Sequence, residues 1–143
     1  MSIRNHMLLD ELVDAWSAHD IPALLALFTD DCLYEDMAMG AVNRGKQELR
    51  HFAAEVFKTM PDFQLKFPKR FATETHGASE WVITATWNGP FEGVDCTGRN
   101  IAFTGFSMYT FRDGKIASNR DCWDYTAMMR QFGVLAASLR SLR

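Results

Sequence analysis

The chain predicts an α+β fold in which a cone-shaped, curved antiparallel sheet packs against N-terminal helices and encloses an apolar pocket. Three observations predict it. Apolar residues recur at helical spacing through the first half of the sequence, and they alternate with polar residues through most of the second half. The 143 residues also include 11 Phe, 4 Trp, 3 Tyr and 8 Met, large polarizable side chains that fill a core and line pockets for flat apolar ligands.

The elements follow in order. From Ile3 to His19, Met7, Leu8, Leu12, Ala15 and Trp16 mark one face of a first helix. Asp20 is placed as N-cap of a second, with Pro22 in its first turn, where the missing N–H costs nothing, and Leu24, Leu25, Leu27 and Phe28 on its buried side. Asp30-Asp31 reads as a turn, Cys32 to Asp36 as a short strand, and Met37 to Arg44 as a loop. A third helix runs from Lys46 to about Thr59, with Leu49, Phe52, Ala53, Val56 and Phe57 on one face, until Met60-Pro61 stops it. Phe63, Leu65 and Phe67 then alternate with polar residues, His76-Gly77 reads as a turn, and Trp81 to Trp87, Ile101 to Phe111 and Lys115 to Asp124 read as longer strands. Asp113-Gly114 closes the hairpin between the last two, and a helix from Tyr125 to Phe132 ends at Gly133 as C-cap.

Composition narrows the function. With 48% hydrophobic and 23% charged residues the chain is neither disordered nor a coiled coil, and without a repeat or polar linker it reads as one domain over 1–143. A net charge of −3 without a basic cluster argues against nucleic acid, whose phosphates must be neutralised by grouped Lys and Arg. The basic groups Lys66, Lys69 and Arg70, then Arg140 and Arg143, read as solvated surface. Cys32, Cys96 and Cys122 form no Cys-x-x-Cys pair, and an odd cysteine count without a leader peptide suits a reducing cytoplasm. No run reaches the roughly 18 apolar residues of a membrane span. No metal or cofactor is expected: no His, Glu and Asp set has ligand spacing, and Gly89-Pro-Phe-Glu-Gly93 lacks the Lys and helix of a phosphate loop.

The most informative segment is Asn119-Arg120-Asp121-Cys122-Trp123-Asp124. Strand alternation puts Asn119, Asp121 and Trp123 on one face. A carboxylate among aromatic rings loses hydration, which raises its pKa and suits it to proton transfer near neutral pH. Its partners depend on the hairpin. A two-residue Asp113-Gly114 turn pairs Arg112 with Lys115 and sets Phe106 opposite Asp121. A three-residue loop with a glycine bulge pairs Phe111 with Lys115, sets Gly105 opposite Asp121 and Ser107 opposite Asn119, and is preferred because it leaves room beside the carboxylate. Trp81, Trp87, Phe103, Tyr109 and Trp123 divide between pocket wall and core, Tyr34 and Asp36 lie near the expected mouth, and His51 sits on the polar face of the third helix.

Gly93-Val-Asp-Cys-Thr-Gly-Arg99, Asp113-Gly-Lys-Ile116, Asn119 to Asp124 and Met129-Arg-Gln-Phe-Gly133 together resemble the C-terminal signature of SnoaL-like polyketide cyclases, in the nuclear transport factor 2-like superfamily. Trp16, Asp20, Leu24, Phe28, Asp31 and Gly45-Lys46 fit the same pattern, so the resemblance spans nearly the whole chain. It implies that Asp121 is the acid/base of cofactor-free proton-transfer chemistry. Two positions depart from the cyclases: Ser107 stands where they hold His, and Tyr34 where they hold a pocket Asn. Limonene epoxide hydrolases share a similar end strand, but their Arg-x-Asp pair has no counterpart in Trp81 to Thr86.

The expectation is therefore a cyclase, isomerase or lyase/dehydratase acting on a hydrophobic, aromatic or polycyclic small molecule. Asp121 is its general acid/base, with Tyr34, Asp36, Ser107 and Asn119 as hydrogen-bonding partners and Trp87, Phe103, Met108 and Trp123 as walls. By resemblance, the outer face of the sheet forms a homodimer. The rival is a binding or dimerisation module of the same fold without catalysis.

Overall fold

The computed structural model describes residues 1–134; Arg140 and Arg143 lie outside them. Helix α1 (Ile3–Ser17) starts where the Ser2 hydroxyl accepts from Asn5 N, and it buries Leu8, Leu9, Leu12 and Trp16. Helix α2 (Ile21–Ala26) has the expected cap, Asp20 Oδ1 accepting from Ala23 N at 3.0 Å. Strands β1 (Phe28–Asp36) and β2 (Ala41–Arg44) precede helix α3 (Gly45–Thr59). Strands β3 (Gln64–Ala72) and β4 (His76–Thr86), the small hairpin β5 (Pro90–Phe91) and β6 (Val94–Asp95), then β7 (Asn100–Arg112) and β8 (Lys115–Trp123) follow, before helix α4 (Tyr125–Phe132).

Six strands form one curved, open sheet in the order β2-β1-β8-β7-β4-β3. Every pairing is antiparallel except β1 with β8, which is parallel, so the sheet is not the purely antiparallel meander expected. The cause is topological. β1 leaves the helices and enters beside the last strand, and parallel neighbours need such a long crossover. α1 packs on β3 and α3 on β1, which puts the helices over one face. Along β7 burial alternates strictly: Ile101, Phe103, Gly105, Ser107, Tyr109 and Phe111 are buried while Ala102, Thr104, Phe106 and Met108 are exposed.

Three local expectations are corrected. The first strand begins at Phe28, ahead of Cys32, and runs through Asp30-Asp31 with a register shift instead of a turn. The loop from Met37 to Arg44 ends as β2, because Ala41 to Arg44 find hydrogen-bonding partners on β1. His76-Gly77 belongs to β4, paired with Thr110 and Tyr109; the turn lies before it, where Thr73 N donates to His76 O.

The hairpin after β7 matches neither register in full. Asp113 (φ 53°) and Gly114 (φ 73°) make a two-residue turn with both residues left-handed, and Arg112 pairs with Lys115. A shift between Thr110 and Phe111, with Ala117 as the extra residue, then moves the partners by one, so that Ser107 faces Asp121 and Tyr109 faces Asn119. The preferred pairing of Gly105 with Asp121 is thus replaced, and Gly105 lies opposite Trp123. The bulge also restores parity, which keeps Asp121 on the buried face of β7.

A carboxylate in an aromatic cavity

Between the sheet and the helices lies a cavity of about 230 Å³. Its wall is mostly aromatic and aliphatic. From the sheet come Trp81, Phe103 and Trp123, and from α1 and α3 come Trp16 and Phe52. Phe103 lies 5.1 Å from Trp123 and 5.8 Å from Trp81 between ring centroids.

Asp121 on β8 opens into this space and accepts three hydrogen bonds. Tyr34 Oη donates to Oδ2 at 2.9 Å, Ser107 Oγ donates to Oδ1 at 2.5 Å, and Asn119 Nδ2 donates to Oδ1 at 2.7 Å. Among the described residues no Lys or Arg pairs with it: Arg120, its neighbour, points to the other face and bridges Glu35 at 3.3 Å. Burial pushes the Asp121 carboxyl up to about 6, against the three hydrogen bonds, which favour the ionised form. The Tyr34 phenol is pushed well up by burial and by the charge on Asp121, so it stays a proton donor.

The donors are themselves held. Trp81 Nε1 donates to Ser107 Oγ at 2.9 Å, and the Tyr109 and Ser79 hydroxyls share a bond of 2.7 Å beside them. Trp81 can lie across β7 because its cross-strand partner is Gly105; a Cβ there would sit 2.3 Å from the indole. Asp36, paired with Asp121 across β1 and β8, is buried. Its Oδ1 and Oδ2 accept from Trp123 Nε1 at 3.0 and 3.1 Å, and Oδ1 also accepts from Met39 N at 3.0 Å.

Most residues expected at the site therefore meet in one cavity: Tyr34, Asp36, Ser107, Asn119 and Asp121 with their polar groups, Trp87, Phe103 and Trp123 as wall. Met108 does not. It sits on the outer face of β7 and is 57% exposed, since an even-numbered residue of that strand points away from Asp121. His51 is exposed on α3 and does not reach the cavity. The sequence places Trp16 and Phe52 only on the apolar faces of their helices and gives Trp81 no polar role. Gly105, a lone glycine inside an apolar strand, was the available sign that a large side chain crosses there.

Among the described residues no three His, Cys, Asp or Glu side chains come together to hold a metal ion, and no helix is long and apolar enough to cross a membrane.

An open curved sheet covered by helices, with a polar cluster set into an apolar cavity, has the architecture of the nuclear transport factor 2-like fold. The chain belongs to the SnoaL-like polyketide cyclase family, whose model matches residues 6–132. Among solved structures it is similar to TsrD from Streptomyces laurentii, with 19% identity over 94% of this chain and 99% of that one at a TM-score of 0.81. It is also similar to IdmH from Streptomyces antibioticus, a polyketide cyclase by provisional assignment, with 22% identity over 93% and 100% at 0.79. An NTF2-like protein of unknown function from Burkholderia pseudomallei K96243 shares 19% identity over 92% and 98% at 0.77. These likenesses establish the fold. A search of curated proteins finds none that matches this chain.

Proposed function

We propose that the protein is a cofactor-independent acid/base enzyme acting on a hydrophobic, aromatic or polycyclic small molecule by cyclisation, isomerisation or elimination. The observation that carries this reading is Asp121: a carboxyl pushed up to about 6, fixed by three donors, with the apolar cavity in front of it. Near pH 7 such a group is mostly ionised yet basic enough to take a proton from an activated carbon. Oδ1 already accepts two hydrogen bonds and Oδ2 accepts one, so a lone pair on Oδ2 is the one left for the substrate. The proton passes from the substrate carbon to Oδ2, and the C–H electron pair moves into the adjoining carbonyl system as an enolate. Asp121 then returns the proton to another carbon in an isomerisation, or to the leaving group in an elimination. Ser107 and Asn119 hold the carboxylate in orientation, and Trp87, Phe103 and Trp123 hold the substrate and exclude water.

The test is exchange of the α-protons of 2-tetralone, a flat apolar ketone, in D2O, followed by proton NMR. The wild type is expected to accelerate exchange over buffer, and Asp121→Asn to lose 100-fold or more of that acceleration, the usual scale of general base catalysis. An Asp121→Asn protein exchanging as fast as wild type would remove Asp121 from the chemistry and favour a binding module. We further propose that a second copy covers the outer sheet face, where Phe71, Phe106 and Met108 are 55%, 63% and 57% exposed.

A further inference from the structure

The charges facing the cavity are of one sign. Asp36, Asp121 and, toward solvent, Glu55 line it, and among the described residues no Lys, Arg or His does. Asp36 and Asp121 are register partners on adjacent strands and open into the same space. Like charges placed so repel one another, and among the described residues no cation pairs with either of them.

Among the described residues, the groups that hydrogen-bond to the two carboxylates are neutral donors: the indole of Trp123 and the Met39 amide on Asp36; the Tyr34, Ser107 and Asn119 side chains on Asp121. Each carboxylate keeps spare accepting capacity on Oδ2, since among the described residues Asp36 Oδ2 accepts only from Trp123 and Asp121 Oδ2 only from Tyr34. The rest of the wall is apolar and aromatic, with Trp123 and Phe103 next to the pair. An anionic ligand would be desolvated against two carboxylates with nothing to neutralise it. A neutral alcohol would satisfy one spare acceptor and leave the charge uncompensated. A protonated amine carries several donors and the missing charge, and ring faces attract cations.

Resting on the reading of this cavity as a substrate site, we propose that its ligand is a hydrophobic amine, bound with its protonated nitrogen on Asp36 Oδ2, close enough to Asp121 to feel its charge while the free lone pair of Asp121 stays open for proton transfer, and with its apolar body against the aromatic wall. Asp36 then determines specificity by selecting for the cation.

Three flat probes of equal size differing in charge test this on the intact protein: 1-naphthylmethylamine, 1-naphthalenemethanol and 1-naphthoate, titrated by calorimetry at pH 7.5. The amine is expected to bind at least tenfold more tightly than the alcohol, with the naphthoate weakest. In Asp36→Asn, which keeps an oxygen for the Trp123 indole, the amine is expected to lose more affinity than the alcohol, so that the preference for amine over alcohol falls to threefold or less. Equal affinities for amine and alcohol in the wild type, no binding of the amine at millimolar concentration, or a preference unchanged in Asp36→Asn would each overturn the proposal. The wild-type series needs no variant to fold. Because affinity is read without turnover, Asp121-dependent exchange of 2-tetralone alongside a flat charge series would sink the amine and leave the acid/base reading standing; the opposite pair of results would do the reverse.

Discussion

The indole N–H of Trp81 donates to Ser107 Oγ at 2.9 Å, and this fixes where the hydroxyl proton of Ser107 can go. A serine hydroxyl has one proton and two lone pairs. With the indole proton on a lone pair, the serine proton is directed to Asp121 Oδ1. Trp81 thus acts on the candidate acid through Ser107, as a positioning residue.

Replacing Trp81 by Phe keeps an aromatic ring and removes that N–H. The Ser107 hydroxyl is then free to turn, and Asp121 loses a fixed donor to its ionised form. Since the Ser107 bond holds the Asp121 pKa down, its loss raises the pKa. Carboxyl-carbon NMR should show Asp121 titrating above the wild-type value, and the pH profile of proton exchange should move the same way. The stability cost is expected to be about 1 kcal/mol, the net worth of one hydrogen bond.

Gly105→Ala should separate the indole from Ser107 by force. The new Cβ would lie 2.3 Å from the Trp81 ring and 2.7 Å from Cys122 O, and backbone on that side leaves the ring as the part that gives way. Overpacking of this kind costs roughly 1–3 kcal/mol. A lower midpoint in denaturant together with a shifted Trp emission spectrum would record it, whereas a wild-type midpoint would show that the approach is looser than described.

Asp121 also sets a pH dependence of stability. Its folded pKa of about 6 stands above the ordinary 3.8, so between those values the folded chain holds more protons than the unfolded one. Its contribution to stability is greatest below about pH 4, declines from 4 to 6 and stays low above that; the gap corresponds to about 3 kcal/mol. Asp121→Asn, which cannot ionise, is therefore expected to gain stability over wild type on going from pH 4 to pH 8. Urea midpoints at the two pH values check the sign.

For the proposed pairing of two copies, Phe106→Glu together with Met108→Glu places like charges on the exposed face of β7, away from the cavity. Sedimentation should show the wild type as a dimer and the variant as a monomer. A wild type that sediments as a monomer sinks the pairing.

What was legible in the sequence was local. The helix from Tyr125 to Phe132 with Gly133 as C-cap matches α4, because the capping signal lies next to the helix it ends. Strand alternation placed Asn119, Asp121 and Trp123 on one face, and all three line the cavity. The rest depended on distant partners. Phe28 looked helical because its apolar neighbours continue the pattern of α2, yet pairing with Ile116 draws it into β1. Met108 was misplaced although the alternation that buries Ser107 exposes it. Ala117 carries no mark of a bulge, and a shift of one residue there decides which side chain faces the carboxylate.

The parallel seam between β1 and β8 joins segments far apart along the chain. Both the Tyr34 bond to Asp121 and the Trp123 bond to Asp36 span 87 residues. Closing so long a loop costs entropy before any contact repays it, so such pairings tend to form late. Helices and the β3-β4-β7 hairpins need no such closure. In refolding, the helical circular dichroism signal should therefore return before Trp123 reaches its final emission, and coincident recovery would refute that order. An N-terminal fragment made without β8 would contain Tyr34 and Asp36 but not Asp121, so the proposed chemistry requires both sides of that seam.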